Sequence, residues 1–492
     1  MIMNKIILLF IITSSLLYSD TCIVDLSNRN IVRNEYTFHE KIESDHFAIH
    51  FTTSNVDSQL VFGNWYNLQS NFGYAQSIID HLETAYSIYL SKGWESFPPD
   101  CDESISDVES DMHCDKYGGN SLYDIYISND GAGMVVPENP YPVEPYIGGY
   151  SSFMKISTLL NEFNYLPSWS YHVIAHELHH AIQLRYGYSV SGSPGNYMYN
   201  GWLFEQTATY MQNVIYPNSN HFSTMLANCD VTTPLTYPDL SIDHGVDIYQ
   251  YRSALWQKYM VESFGDSSIV RYIWEDYGTQ YGSGNPVYLF PIYNNAIKLV
   301  TNNEIELTDA YKDYAVWRYF TGDRSLSMSH FEESNLYCES SIANLSSNIL
   351  SLPSEKGAAQ FIQLPVDAFS LSVETEFENI LQFQYVKGDG SVIDVDLDNN
   401  TSFYLNNTND ETHALIVTSS FSEGESEYID LYIELNDLQI DLNNDEDINI
   451  LDLILLVDMI LYDNFNIIAD INYDSMLNIL DVIIYINIIL ST

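Results

Sequence analysis

The first clear periodicity in the chain is an alternation. His46–Phe51 reads HFAIHF, apolar and polar in turn, and a period of two predicts a strand. Between residues 74 and 90, Ile78, Leu82, Ala85, Tyr86 and Tyr89 recur at helical spacing, which predicts an amphipathic helix. Tyr123–Ile127 (YDIYI) reads as another strand after the turn-prone Gly118-Gly119, and Gly148-Gly149 precede one near Ser152–Ile156. Pro167-Ser168 can start a helix, with apolar Val173, Ile174, Leu178 and Ile182 following. Residues 250–321 read as several helices, among them Ala254–Phe264 and Asp309–Phe320. Strands first and helices later predict one α+β domain over residues 20–350.

The texture changes near Leu352-Pro353. Short β-rich runs come next (FIQLP, FSLSVET, LQFQYV, HALIVTSS, YIDLYIEL), broken by turns such as Lys387-Gly388-Asp389-Gly390. That pattern predicts a small β-sandwich over 351–437. Residues 438–492 form a third region. It carries two near-copies, DLNNDEDINILD at 441–452 and DINYDSMLNILD at 470–481. Each copy runs into an apolar helical stretch, Leu453–Leu461 and Val482–Leu490. The fold class expected is therefore α+β and multidomain.

At the N-terminus, Lys5 precedes the apolar stretch Ile6–Leu17, and Leu17-Tyr18-Ser19 is an imperfect small-residue cleavage site. The stretch is too short to span a bilayer, so residues 1–19 read as a signal peptide. A secreted protein without membrane insertion is expected.

Charge narrows the partners. Lys and Arg number 17 against 67 Asp and Glu, a formal charge of −50. Such a surface repels nucleic acid and anionic membranes and suits a protein that meets cations. From Gly388 to Thr492 there is no Lys or Arg at all. Five cysteines, Cys22, Cys101, Cys114, Cys229 and Cys338, are compatible with disulfides in an oxidising compartment. Cys101 and Cys114 bracket a polar loop and are the first candidate pair. A Cys229–Cys338 bridge would leave Cys22 odd, and sequence alone does not fix the connectivity.

Candidate chemistry sits at His176-Glu177-Leu178-His179-His180. On a helix, positions four apart share a face. His176 and His180 can thus present two imidazoles to one zinc ion, with Glu177 beside them to take a proton from water. His172 shares that face one turn earlier and reads as a neighbour, while His179 points off it. Catalytic zinc usually has three protein ligands and an open position. Residues 201–212 (GWLFEQTATYMQ) come after the loop SGSPGN and offer Glu205, with Trp202 and Ala208 one turn either side. A lone acid in that apolar company is costly unless it is paired or metal-bound.

The pair HELHHAIQ and GWLFEQTATYM resembles the gluzincin class of zinc metallopeptidases. More narrowly, it looks like a group of secreted bacterial metalloproteases in which a WxxExxA helix follows a HExxHAxQ helix. The likeness covers roughly residues 40–330. It implies a zincin-like catalytic domain, His176, His180 and Glu205 as zinc ligands, and Glu177 as general base. It also implies that a hydroxyl or imidazole from the YRSALWQKY region assists the oxyanion, with Tyr251 and His244 as candidates and Tyr249 competing. The chain is not of the metzincin branch, which would need Gly at 183 and His at 186, where Gln183 and Tyr186 stand. It also departs from thermolysin-like enzymes, which carry an Asp where Thr209 stands, so the group orienting the histidines stays open.

The repeated tail reads as calcium loops. An EF-type loop draws oxygens from its first, third, fifth, seventh, ninth and twelfth positions. In the first copy these are Asp441, Asn443, Asp445, Asp447 by its backbone, Asn449 and Asp452. In the second they are Asp470, Asn472, Asp474, Met476 by its backbone, Asn478 and Asp481. One helix per loop and Asp at the twelfth position resemble a type I dockerin, which implies Ca2+ and a cohesin-type scaffold partner. The glycine normal at the sixth position is Glu446 in one copy and Ser475 in the other. The pairs Ile450-Leu451 and Ile479-Leu480 repeat identically and offer two equivalent faces.

The function expected is a secreted zinc endopeptidase acting on protein or peptide substrates, with a calcium-dependent docking module. Two alternatives stay open: an extracellular calcium-dependent, scaffold-associated binding protein whose zinc site is structural or inactive, and another hydrolase built on the same ligand set.

Overall fold

The computed structural model describes Arg33 and residues 36–491, save 62, 109, 111, 163, 189–200, 245–247, 283–288, 327–329, 345–348, 354, 365–369, 375–379, 396–401, 405–412, 421–427, 437–440, 444, 446, 463, 467–468 and 472–475. The expected signal peptide, Cys22, Asn472 and Asp474 lie outside the described residues. The chain is mixed α and β, and it divides into two compact units between Ser340 and Ser341.

A five-stranded sheet anchors the first unit, in the order β1-β2-β5-β7-β6. Its strands are β1 (Glu40–Glu43), β2 (Phe47–Phe51), β5 (Tyr123–Ile127), β6 (Gly133–Pro140) and β7 (Tyr150–Ile156). A hairpin of β3 (Ser58–Val61) and β4 (Asn64–Asn67) stands apart from it. β2, β5 and β7 run parallel, and β1 and β6 close the edges antiparallel. β5 is buried along its whole length, as a central parallel strand should be. The edge strand β6 eluded the sequence reading because it contains Pro137 and Pro140. Proline cannot donate to a ladder, but an edge strand tolerates it.

Helix α1 (Phe72–Ser91) packs on β2. Asn71 caps it by accepting from the Tyr74 amide, and Ile78, Leu82, Ala85, Tyr86 and Tyr89 are buried as their spacing foretells. The Tyr89 hydroxyl donates to Ala175 O at 2.9 Å and so fixes α2 (Tyr171–Gln183) against α1. Then come helices α3 (Gly201–Ile215), α4 (His221–Leu226), α5 (Tyr249–Arg252), α6 (Leu255–Phe264), α7 (Ile269–Gly282), α8 (Leu289–Val300) and α9 (Leu307–Tyr319). One apolar core joins the sheet to these helices. Disulfides Cys101–Cys114 and Cys229–Cys338 are both formed.

The second unit starts earlier than the texture change suggested. Ala343–Asn344 (β8) pairs parallel with Ile362–Gln363 of β10 (Ala359–Gln363), and two residues are too few to show alternation. With β12 (Leu381–Val386), β13 (Val392–Val395) and β15 (Ala414–Ser419), these strands make one sheet, β13-β12-β15-β10-β8. β9 (Ile349–Pro353), β11 (Ser370–Glu374), β14 (Ser402–Tyr404) and β16 (Tyr428–Asn436) make another, β14-β11-β16-β9. The tail adds α10 (Ile450–Leu461) and α11 (Ile479–Ser491). They share a small core of Leu456, Ala469, Ile471, Val482 and Tyr485.

Candidate metal centre

Helices α2 and α3 pack directly on each other. Val173, Ile174, Leu178 and Ile182 of α2 face the core. The helical repeat therefore turns His176 and His180 together toward α3, where Glu205 is completely buried. The three side chains meet. His176 Nε2 lies 3.0 Å from Glu205 Oε2, His180 Nε2 lies 3.3 Å from the same oxygen, and the two Nε2 atoms are 3.1 Å apart.

The partners of the other ring nitrogens decide what those atoms carry. Gln183 donates through its amide nitrogen to Phe204 O (3.0 Å) and Thr207 Oγ1 (2.8 Å). Its carbonyl oxygen is left for Nδ1 of His180, at 2.8 Å. Gln212 turns its amide nitrogen to Nδ1 of His221 (2.9 Å) and its oxygen to Nδ1 of His176 (3.1 Å). Both histidines therefore hold a proton on Nδ1 and turn Nε2, the nitrogen that can ligate a metal, inward. Two imidazole nitrogens and a carboxylate oxygen then converge within hydrogen-bond distance of one another. Such a cluster is costly in a buried site, and a cation relieves it. Among the described residues, this is the group whose imidazole and carboxylate ligand atoms all lie within 4.8 Å of one another. Two imidazole nitrogens and one carboxylate oxygen are the donor set of a catalytic zinc site with one position open.

The electrostatics differ from member to member of that set. Burial raises the cost of charge on every member. At His176 burial prevails and pushes the imidazole below its ordinary value, which favours the neutral ligand form. At His180 burial is outweighed by Glu205 and Glu177, and the value rises. Burial also works against the Glu205 carboxylate, but His180 and His176 hold it down to about 2, so it is ionised.

Glu177 is buried beside the cluster. Edge strand β6 crosses it at Gly133, where a Cβ would stand 2.5 Å from Glu177 Cγ and 2.8 Å from its Oε1. Glycine is needed there because the backbone and the carboxylate side chain are already in contact. Tyr251 stacks on His176, with ring centroids 5.8 Å apart and planes 29° apart. Its two rivals are placed otherwise. Tyr249 directs its hydroxyl to Leu240 O (3.4 Å), and His244 packs edge-on against the Tyr249 ring. His172 stacks on His221 at 3.8 Å. His179 lies in an aromatic pocket between Tyr89 and Trp94, off the ligand face. Thr209 is buried, and its hydroxyl has no hydrogen-bond partner.

Gln183, Gln212 and Gly133 are the site residues that sequence reasoning missed. Helical spacing could have found Gln183, one turn beyond His180 on the same helix. No sequence signal marks the crossing of Gly133 over Glu177.

In the tail, the first loop spends its oxygens on its own backbone. Asp441 Oδ1 and Asn443 Oδ1 accept from the Asp445 amide (3.1 and 2.8 Å), and Asp445 Oδ1 accepts from the Asp447 amide (3.0 Å). Asp447 O accepts from the Asn449 side chain (3.0 Å). Fully buried Asp452 receives the amides of Asn443 and Asn449. In the second copy, Asp481 receives the amides of Ile471 (2.9 Å) and Asn478 (2.8 Å), and Met476 O accepts from the Asn478 side chain (3.2 Å). Asp470 is buried.

Comparison with known proteins adds one finding. Residues 157–380 match a family model described as "Family of unknown function (DUF6055)". The match contains the whole of α2 and α3, and with them His176, Glu177, His180 and Glu205. No curated protein and no solved structure matches the chain. Among the described residues, no helix is long and apolar enough to cross a membrane.

Proposed function

We propose that this chain is a secreted zinc endopeptidase with a zincin-like catalytic domain and a calcium-dependent, dockerin-like docking tail. The observation that carries the reading is the convergence of two buried imidazole nitrogens and a buried carboxylate oxygen, with Glu177 beside them. A zinc ion held by His176, His180 and Glu205 would supply a Lewis acid that acidifies a water and polarises a peptide carbonyl. Gln183 and Gln212 keep both imidazoles in the tautomer that ligates. Glu177 accepts the proton of the attacking water and delivers it to the leaving amine. Tyr251, stacked on His176, is the candidate donor to the developing oxyanion. The outer edge of β6 beside Glu177 offers an extended peptide a backbone to pair with.

The docking half of the proposal rests on the repeated loops and on the two helices they lead into. Ile450, Leu451 and Ile454 on α10, and their counterparts Ile479, Leu480 and Ile483 on α11, all stand exposed. Two matching apolar faces on an otherwise acidic tail suit a protein partner. Hard oxygen donors on Asp441, Asn443, Asp445, Asp470 and their neighbours suit Ca2+.

The deciding experiment measures casein hydrolysis and bound zinc in the wild type and in Glu177→Gln. Activity in the wild type and its loss in the zinc-loaded variant are expected. Zinc bound but no hydrolysis by either protein would sink the protease reading. Capture by a cohesin in millimolar calcium, abolished by chelation, is expected of the tail.

A further inference from the structure

Arg33 stands far from the metal centre in sequence, ahead of the first strand, yet its side chain is buried. The guanidinium forks onto three carboxylates from three different places in the fold. Nε donates to Glu138 Oε1 and Oε2 at 2.8 and 2.9 Å, and Nη2 also reaches Oε2, at 2.5 Å. Nη1 donates to Asp100 Oδ2 at 3.0 Å and also to Asp124 Oδ2. The planar cation lies over the rings of Tyr117 and Phe153, at 4.9 and 5.2 Å. Asp100 adjoins the Cys101–Cys114 bridge, Asp124 is on β5, and Glu138 is on the edge strand β6.

The receptor is built to be occupied. Asp100 and Asp124 are fully buried, and Glu138 is partly buried, with 15% of its side chain exposed. Asp100 Oδ2 also accepts the Asp124 amide at 3.1 Å, and its Oδ1 is buried without any hydrogen-bond partner. Asp124 uses its other oxygen on His50 Nε2 at 2.7 Å. Gly118, at φ +76°, leaves room for Asp124, which a Cβ there would overlap. Three clustered carboxylates, two of them fully buried, are costly to keep ionised without a cation among them. The fork of donors and the two aromatic faces suit a guanidinium better than an ammonium.

We propose that Asp100, Asp124 and Glu138 form a guanidinium-binding pocket whose resident ligand is Arg33. Arg33 is then retained in the working protein and is not shed with a propeptide. Arg33 grips one end of β6, and Gly133 at the other end touches Glu177, so this residue steadies the strand that bounds the candidate centre.

Three measurements test this, and none uses metal content or proteolysis, so the inference stands or falls apart from the metallopeptidase reading. The intact mass of the secreted protein should include Arg33; a mature chain starting after residue 33 overturns the proposal. Arg33→Ala should melt roughly 10 °C below the wild type. Millimolar ethylguanidinium should restore part of that loss, and ethylammonium should not. An unchanged melting point, or equal rescue by both cations, overturns it. Should Arg33→Ala fail to accumulate, Arg33→Lys makes the same comparison. Its single ammonium cannot fork across three acids, so a lowered melting point is expected, and wild-type stability overturns the guanidinium assignment.

Discussion

Gln212 accepts a hydrogen bond from Nδ1 of His176 at 3.1 Å, and it does so from two helical turns beyond Glu205 on the opposing helix. That one contact settles the tautomer of His176. Gln183 does the same for His180. Removing either amide should loosen its imidazole without emptying the core. Gln212→Ala and Gln183→Ala are each expected to weaken zinc binding by roughly 10–100-fold in a competitive chelator titration. Wild-type affinity in both variants would show that the amides only pack.

Gly133→Ala should damage turnover selectively. The added methyl must displace the Glu177 side chain or the edge strand, because it would stand 2.5 Å from Glu177 Cγ. Bound zinc should stay at the wild-type level while kcat falls at least tenfold, since a small misplacement of a catalytic group is costly.

Tyr251→Phe and Tyr249→Phe separate two neighbours that the sequence left in competition. Tyr251 stacks on His176, and Tyr249 directs its hydroxyl to a backbone carbonyl. If Tyr251 stabilises the oxyanion, its hydroxyl is worth on the order of a hundredfold in kcat, and that of Tyr249 very little. Equal effects would remove Tyr251 from the chemistry.

Asp313 gives a test of stability against pH. It is partly buried on α9 and accepts hydrogen bonds from Tyr259 (2.9 Å) and Ser263 (3.2 Å). Burial nonetheless pushes its carboxyl above the ordinary value, despite those donors. A raised carboxylate favours the protonated folded form, so the penalty for its charge acts above the folded pKa and vanishes below the unfolded one. Asp313→Asn should therefore melt higher than the wild type at neutral pH, and the gain should shrink as the pH falls into the acid range. A gain that is constant with pH would contradict the assignment.

The loops of the tail predict a linked pair of effects. Asp452 and Asp481 are fully buried at the starts of α10 and α11 and receive loop amides. Replacing both with Ala should abolish calcium-dependent protection of the tail from proteolysis. Replacing one should leave about half of the bound calcium, as read by titration calorimetry.

Legibility from sequence tracked the range of the interactions. His176 and His180 are set by one helical repeat, and Glu205 by its improbable apolar surroundings, so a short window exposed all three. β2, β5 and α1 announced themselves by period in the same way. β6 did not, because its prolines argue against a strand unless its edge position is known. β8 is too short to show any period. Gln212, Gly133 and Arg33 act across long separations, through contacts that exist only once the chain has folded. The twofold repeat of the tail was legible, but the internal hydrogen bonds that hold Asp441 and Asp445 were not.

The amides that orient His176 and His180 have a consequence for where such a site can work. A carboxylate in their place would take up a proton in acid and release its imidazole. A glutamine has nothing to titrate, so its grip is the same in sour surroundings as in neutral ones. In acid, then, the limit falls on the ligand nitrogens themselves, and the scaffold that aims them stays in place.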